Sequence, residues 1–128
     1  PILRTRFRWA DVDAPLQEVH AAAEPDWEAH DWSARDDVDA EAAFEAFLAA
    51  DRLRGFDLSR LPLQRLNLFR FAEADHRLVW TFPHALLDGR SFHFVLQEVF
   101  EAYDAAGRGE AFVAPVRPAF RDHIDWLQ

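Results

Sequence analysis

The stretch RLVWTFPHALLDGRSFHFVLQEVFEAY, residues Arg77–Tyr103, decides how this chain is read. Arg77–Phe82 is a strand-like run of mostly large apolar side chains. Pro83 ends it, because proline has no N–H to give to a strand ladder. From Ser91 onward, Phe92, Val95, Leu96, Val99, Phe100 and Tyr103 return at helical spacing. That spacing predicts a helix over Ser91–Ala106, stopped at Gly107. Between strand and helix lies Pro83-His84-Ala85-Leu86-Leu87-Asp88-Gly89-Arg90-Ser91. Upstream, Leu63–Phe71 is another strand-like run, and the short polar segment Ala72–His76 between the two runs predicts a hairpin.

The rest of the chain is organised around this unit. Leu3, Thr5, Phe7 and Trp9 alternate with Arg4, Arg6 and Arg8, which predicts a strand with one buried face. Asp11–Asp13 reads as a turn and Pro15–His20 as a short return strand. Glu24–Asp37 reads as a loop, with Trp27 and Trp32 pinning it to the body rather than binding a base or a sugar. Asp37–Arg54 predicts a helix. Ala40, Ala43, Phe44, Phe47, Leu48 and Leu53 form its apolar stripe. Acids crowd its start, Arg52 and Arg54 stand at its end, and Gly55 stops it, as the helix dipole and C-capping require. Phe56-Asp57-Leu58-Ser59 is a turn with an anchoring Phe. Residues 107–118 form a Gly- and Pro-containing loop, and Phe120–Leu127 begins a further helix. The expected fold is a mixed sheet, largely antiparallel around the hairpin, packed by the two amphipathic helices.

Composition bounds the function. The chain has 128 residues, half of them hydrophobic by type, with 12 Phe and 5 Trp. It can therefore bury a core, and its length suits one domain or part of one. The net charge is −9, a poor match for nucleic acid or an anionic membrane. All 14 basic residues are Arg. Without Cys there is no thiolate nucleophile, disulfide or Cys-based zinc site. No apolar run approaches the roughly 20 residues that span a bilayer. Met is absent, so Pro1 is not an initiator, and the chain is expected to be a piece of something longer.

Chemistry is expected in the Pro83–Ser91 connection. A neutral imidazole at the end of a strand can take and return a proton near neutral pH. His84 stands there, and two roles are open to it: proton transfer, or structural hydrogen bonding within the turn. Asp88 can brace the loop through an Arg or through backbone amides. Gly89 permits a positive φ or a close backbone approach, and Ser91 is a plausible N-cap. His84 and Asp88 with His93 or His76 match no metal-ligand spacing, and His93 reads as a helix-surface residue.

The His84-x-x-x-Asp88-Gly89 segment, set between an apolar strand and an apolar helix, resembles the active-site motif of the condensation domains of nonribosomal peptide synthetases. Three further segments carry the same resemblance in the same order. Leu3-Arg4-Thr5-Arg6-Phe7 resembles the end of the family's Arg-His-x-x-Leu-Arg-Thr-x-Phe motif. Phe56-Asp57-Leu58-Ser59 with Pro62-Leu63 resembles Phe-Asp-Leu-x-x-x-Pro-Leu. Phe120, Asp122 and Trp126 resemble Tyr-x-Asp-x-x-x-Trp. Three departures stand out: Pro83 replaces the first of the family's paired His residues, Phe120 replaces a Tyr, and the chain matches only the N-terminal portion of such a domain.

The resemblance implies a chloramphenicol-acetyltransferase-like N-terminal subdomain, an α/β fold of α+β two-layer type, over residues 1–128. It implies amide formation between an acyl or peptidyl thioester and an aminoacyl thioester. His84 would be the catalytic residue at the attacking amine, as base or as positioner. Asp88 and Gly89 would be structural at the active site, with Asp88 pairing with an Arg, for which Arg4 is one candidate. The chain itself would bind no cofactor and no metal. Partner carrier domains would deliver 4′-phosphopantetheine arms, alongside an adenylation domain and a C-terminal lobe that closes the substrate tunnel, all in the cytoplasm. Neither nucleic acid nor membrane is expected as a partner. The competing readings are an acyl-coenzyme A-dependent acyltransferase or an epimerisation domain of the same superfamily, and a degenerate, non-catalytic interaction module.

Overall fold

The computed structural model describes residues 1–127, the side chains of His123 and Leu127 excepted. The chain divides into two units, one of residues 3–86 with Pro1 and the other of residues 87–128 with Ile2.

Ile2–Arg4 makes a 3-10 turn, and strand β1 of the first unit follows over Thr5–Arg8, so the expected Leu3–Trp9 strand is shorter at both ends. Strand β2, Leu16–Val19, returns antiparallel to β1, as the sequence suggested. A second sheet has the order β3-β4-β5, with β3 Asp26–Asp31, β4 Arg65–Arg70 and β5 His76–Thr81. Strands β4 and β5 form the expected hairpin, closed by the Phe71 N–H donating to the Asp75 carbonyl at 2.9 Å. Strand β3 corrects the sequence reading. Residues taken as loop pair in parallel with β4, Asp26 opposite Arg65 through Asp31 opposite Arg70. The sheet is therefore mixed, with one parallel and one antiparallel pairing.

Helix α1 spans Asp37–Arg54, the bounds expected from its sequence. The Asp36 carboxylate accepts from the Asp39 N–H at its start. Phe44 and Phe47 on α1 meet Phe69 edge-on at centroid distances of 5.2 and 4.8 Å. Phe69, on the central strand, is fully buried. His30 stacks face to face on it at 4.4 Å, and Trp32 meets its edge at 4.7 Å. Trp32 thus pins its segment as expected. Trp27 does not, being 52% exposed. Leu53 also departs from the expected stripe and lies exposed.

The end of α1 is tied to the start of β4 by a buried ion pair. The Arg65 Nε donates to Asp51 Oδ1 at 2.6 Å, its Nη2 to the Asp51 carbonyl at 2.9 Å and its Nη1 to the Gly55 carbonyl at 2.7 Å. The same guanidinium lies over the Phe56 ring, 4.1 Å from its centroid, which gives the anchoring Phe its task. Gly55 turns the chain out of the helix at φ 59°, ψ −160°, a conformation nearly reserved for glycine. A Cβ at Gly55 would meet no atom within 4 Å, so only the backbone resists a side chain there. Gly55→Ala is expected to cost about 1–3 kcal/mol, read as a lower Tm in thermal unfolding.

In the second unit, helix α2 covers Ser91–Gly107, one residue beyond the expected end, and α3 covers Phe120–Leu127. The connecting coil is held to α2 by Arg117, which donates to Glu98 at 2.9 Å and lies over the Phe94 ring. His93 is on the helix surface, as expected. Among the described residues, no helix is long and apolar enough to cross a membrane.

Candidate active site

The end of β5 is fixed before the chain reaches His84. Trp80 donates its indole N–H to Gln64 Oε1 at 3.2 Å, and its ring packs on Phe82 at 4.7 Å. Pro83 then opens a tight turn, closed by the Leu86 N–H donating to the Pro83 carbonyl at 2.9 Å. His84 and Ala85 occupy the two central positions of this turn, and both are exposed. Leu86 and Leu87, which follow, are buried. The exposed imidazole therefore sits between a strand end anchored by aromatic packing and two buried leucines. His84 makes no hydrogen bond or ion pair with any described residue.

Asp88 and Gly89 open the second unit. Asp88 Oδ1 accepts from the Arg90 N–H at 3.1 Å, the Ser91 N–H at 2.7 Å and the Ser91 hydroxyl at 2.6 Å. The Asp88 carbonyl accepts from the Phe92 N–H at 3.3 Å. Together these bonds fold residues 88–91 into a turn that leads into α2, whose first residue is Ser91 and whose N-cap, Arg90, makes no side-chain capping bond. This corrects the expectation that Ser91 caps the helix. An ionised carboxylate is the stronger acceptor, and it turns the Ser91 hydroxyl into a donor. The expected bracing through backbone amides is present.

Gly89 also departs from expectation. The positive-φ glycines are Gly55 and Gly109, and Gly89 is not among them. It lies in the turn before α2, and a Cβ there would meet nothing within 4 Å. Its N–H donates to no described residue. Arg4, the candidate partner for Asp88, donates to the His20 carbonyl oxygen.

The condensation domain family model matches residues 1–128, the whole chain. A linear gramicidin synthase of Brevibacillus parabrevis is 39% identical over 127 residues, covering 99% of this chain and 2% of that protein. Among solved structures, the starter condensation domain of rhizomide synthetase RzmA superposes with a TM-score of 0.82 at 22% identity. That match covers 97% of this chain and 29% of the other. The epimerization domain from the third module of tyrocidine synthetase B gives 0.75 at 21% identity, over 94% of this chain and 27% of the other. At those identities the structures speak for the fold, which is the chloramphenicol-acetyltransferase-like architecture expected from the sequence. With the family model matching from end to end, the chain belongs to the condensation domain family of nonribosomal peptide synthetases.

Proposed function

We propose that this chain supplies the catalytic motif of a domain that forms an amide between two carrier-bound substrates in nonribosomal peptide synthesis. The observation that carries this reading is the exposed His84 on an anchored turn, unpaired among the described residues and four residues before the Asp88-Gly89 turn that leads into α2. The amine of an aminoacyl thioester attacks the carbonyl of an acyl or peptidyl thioester. The new C–N bond forms, the C–S bond breaks, and the donor carrier leaves as its thiol. His84 accepts the amine's proton, or orients the amine, as the tetrahedral intermediate forms. The Gly89 N–H, in the turn before α2, is the donor this reading assigns to the developing oxyanion. Asp88 is structural, because three donors already occupy one of its oxygens.

Both substrates ride on 4′-phosphopantetheine arms of carrier domains, so the chain need hold no cofactor of its own. An adenylation domain loads the carriers in the cytoplasm, and a C-terminal lobe completes the tunnel. The chain spans about 2% of its gramicidin synthase relative and under a third of the solved domains. Residues 1–128 alone are therefore expected to show no turnover of carrier-bound substrates, tested by mass spectrometry of the product.

The deciding experiment gives the complete domain two loaded carriers and follows the amide product, with acyl-coenzyme A and a single loaded carrier as parallel substrates. Amide formation from two carriers supports this reading. Transfer only from acyl-coenzyme A favours the related acyltransferase, and stereoinversion on one carrier favours the epimerase. No turnover with any of them favours an interaction module.

A further inference from the structure

We propose that Gln64 and Trp80 form a positioning pair for His84: their hydrogen bond across the β4–β5 hairpin fixes the strand exit from which the His84 turn starts. The inference rests on the condensation reading of the motif and extends it to two residues outside the motif.

The hairpin ladder ends at Arg65 opposite Thr81. His84 stands three residues beyond Thr81, and Pro83 has no N–H with which to continue a ladder. Beyond the last pair, side chains hold the exit. In the register Trp80 faces Leu66. Its indole N–H instead reaches Gln64 Oε1 at 3.2 Å, two positions before Leu66 and just past the last ladder pair. The bond is therefore diagonal, running from β5 toward the end of the hairpin where His84 lies. The same ring packs on Phe82, with centroids 4.7 Å apart and planes tilted by 48°. One indole thus holds both the neighbouring strand and the residue before Pro83.

The burial of Gln64 supports a dedicated role. It is 6% exposed and follows Leu63, which is fully buried. An amide in such a place costs free energy unless its polar atoms find partners, and an apolar side chain of similar length avoids that cost. The Trp80 N–H meets the need of the amide oxygen. From Phe82 the restraint passes along the main chain. The ring of Pro83 fixes one torsion. The Pro83 carbonyl accepts from the Leu86 N–H at 2.9 Å, and Leu86 is buried. The segment is held at both ends, which leaves the imidazole of His84 only its two side-chain torsions. A base acts only within hydrogen-bond reach of the proton it takes, and a misplacement of about 1 Å can cost roughly 100-fold in rate. Loosening the exit allows such a shift while the ladder from Thr81 back to His76 stays paired.

The test measures kcat and KM for amide formation by the complete domain with two loaded carriers. Trp80→Phe removes the N–H and keeps a ring against Phe82. Gln64→Leu removes the acceptor at similar side-chain length. Each is expected to lower kcat by about 3- to 30-fold, between the worth of one neutral hydrogen bond and the effect of a 1 Å shift. KM for each carrier should stay within about twofold of wild type. The double variant should be no slower than the slower single one, because both lose the same bond. In a His84→Ala background, Trp80→Phe should cost no more than about twofold further, because the residue it positions is gone. A merely structural role would cost as much there as in wild type. Wild-type kcat in both single variants, a rise in KM alone, losses that multiply in the double variant, or an undiminished loss beside His84→Ala would each overturn the inference alone. Should Trp80→Phe fail to fold by circular dichroism, Gln64→Leu is carried through the His84→Ala comparison in its place. A wild-type domain that forms no amide, or a His84→Ala that forms it at the wild-type rate, would overturn the reading of the motif and this inference with it.

Discussion

His84→Ala in the complete domain is expected to slow amide formation by about 10²- to 10⁴-fold, the range for removing a positioned general base. The fold should not suffer. His84 is exposed, occupies a central position of a turn closed by main-chain atoms, and bonds to no described residue. Truncation there should change stability by no more than about 0.5 kcal/mol. Single-turnover transfer between two loaded carriers, run beside a thermal melt, separates the two quantities. A large rate loss at unchanged Tm assigns His84 to the chemistry. Wild-type rates in His84→Ala would make it a turn residue and leave the motif's backbone donors to act alone.

Arg65→Ala is expected to be the most damaging structural change, costing about 3–5 kcal/mol by leaving Asp51 buried without its countercharge. Both side chains are about 6% exposed, so water cannot take the place of the lost guanidinium. Arg65→Lys should recover only part of the loss. An ammonium cannot serve two carbonyls and a carboxylate in one plane while lying flat on Phe56. Acid should expose the same contact. Burial raises the Asp51 carboxyl, but hydrogen bonds from Arg65 and Thr81 and the Arg65 charge outweigh it and hold the group below its ordinary value. A depressed folded value means the pair's contribution is fully present above about pH 4, the unfolded carboxyl value, and fades as pH falls toward the folded one. Chemical denaturation of the domain at pH 7 and pH 3 should show wild type losing stability that Asp51→Asn has already lost. Equal pH dependence in the two would remove the pair from the acid response.

Helix α1 was legible in the sequence to the residue because its signals are local: acids at the start, arginines at the end, then Gly55. The β4–β5 hairpin was legible because its polar turn is five residues long in sequence, Ala72–His76. Strand β3 was not. Its positions facing α1 are Asp26, Glu28 and His30, so the apolar alternation that marks a buried strand is missing. Their compensation comes from far along the chain: Arg54 for Asp26, and Asn67 and Phe69 for His30. Pairing that depends on distant partners leaves no short-range trace. At the site, residue types and spacing pointed to His84, Asp88 and Gly89 as candidates. The capping role was misassigned to Ser91, because spacing alone does not reveal which of two oxygens accepts.

The Arg65 clasp has a consequence for how the sheet assembles. Strand β4 lies between two partners and could slide along either while keeping its main-chain ladder intact. A slip of one position would carry Arg65 to the opposite face and strand Asp51 at the end of α1. The misaligned chain would then leave the Asp51 carboxylate buried without its countercharge. The ion pair thus works as a proofreading contact: it contributes little to choosing the correct alignment over the unfolded chain, and a great deal to choosing it over its nearest wrong neighbours.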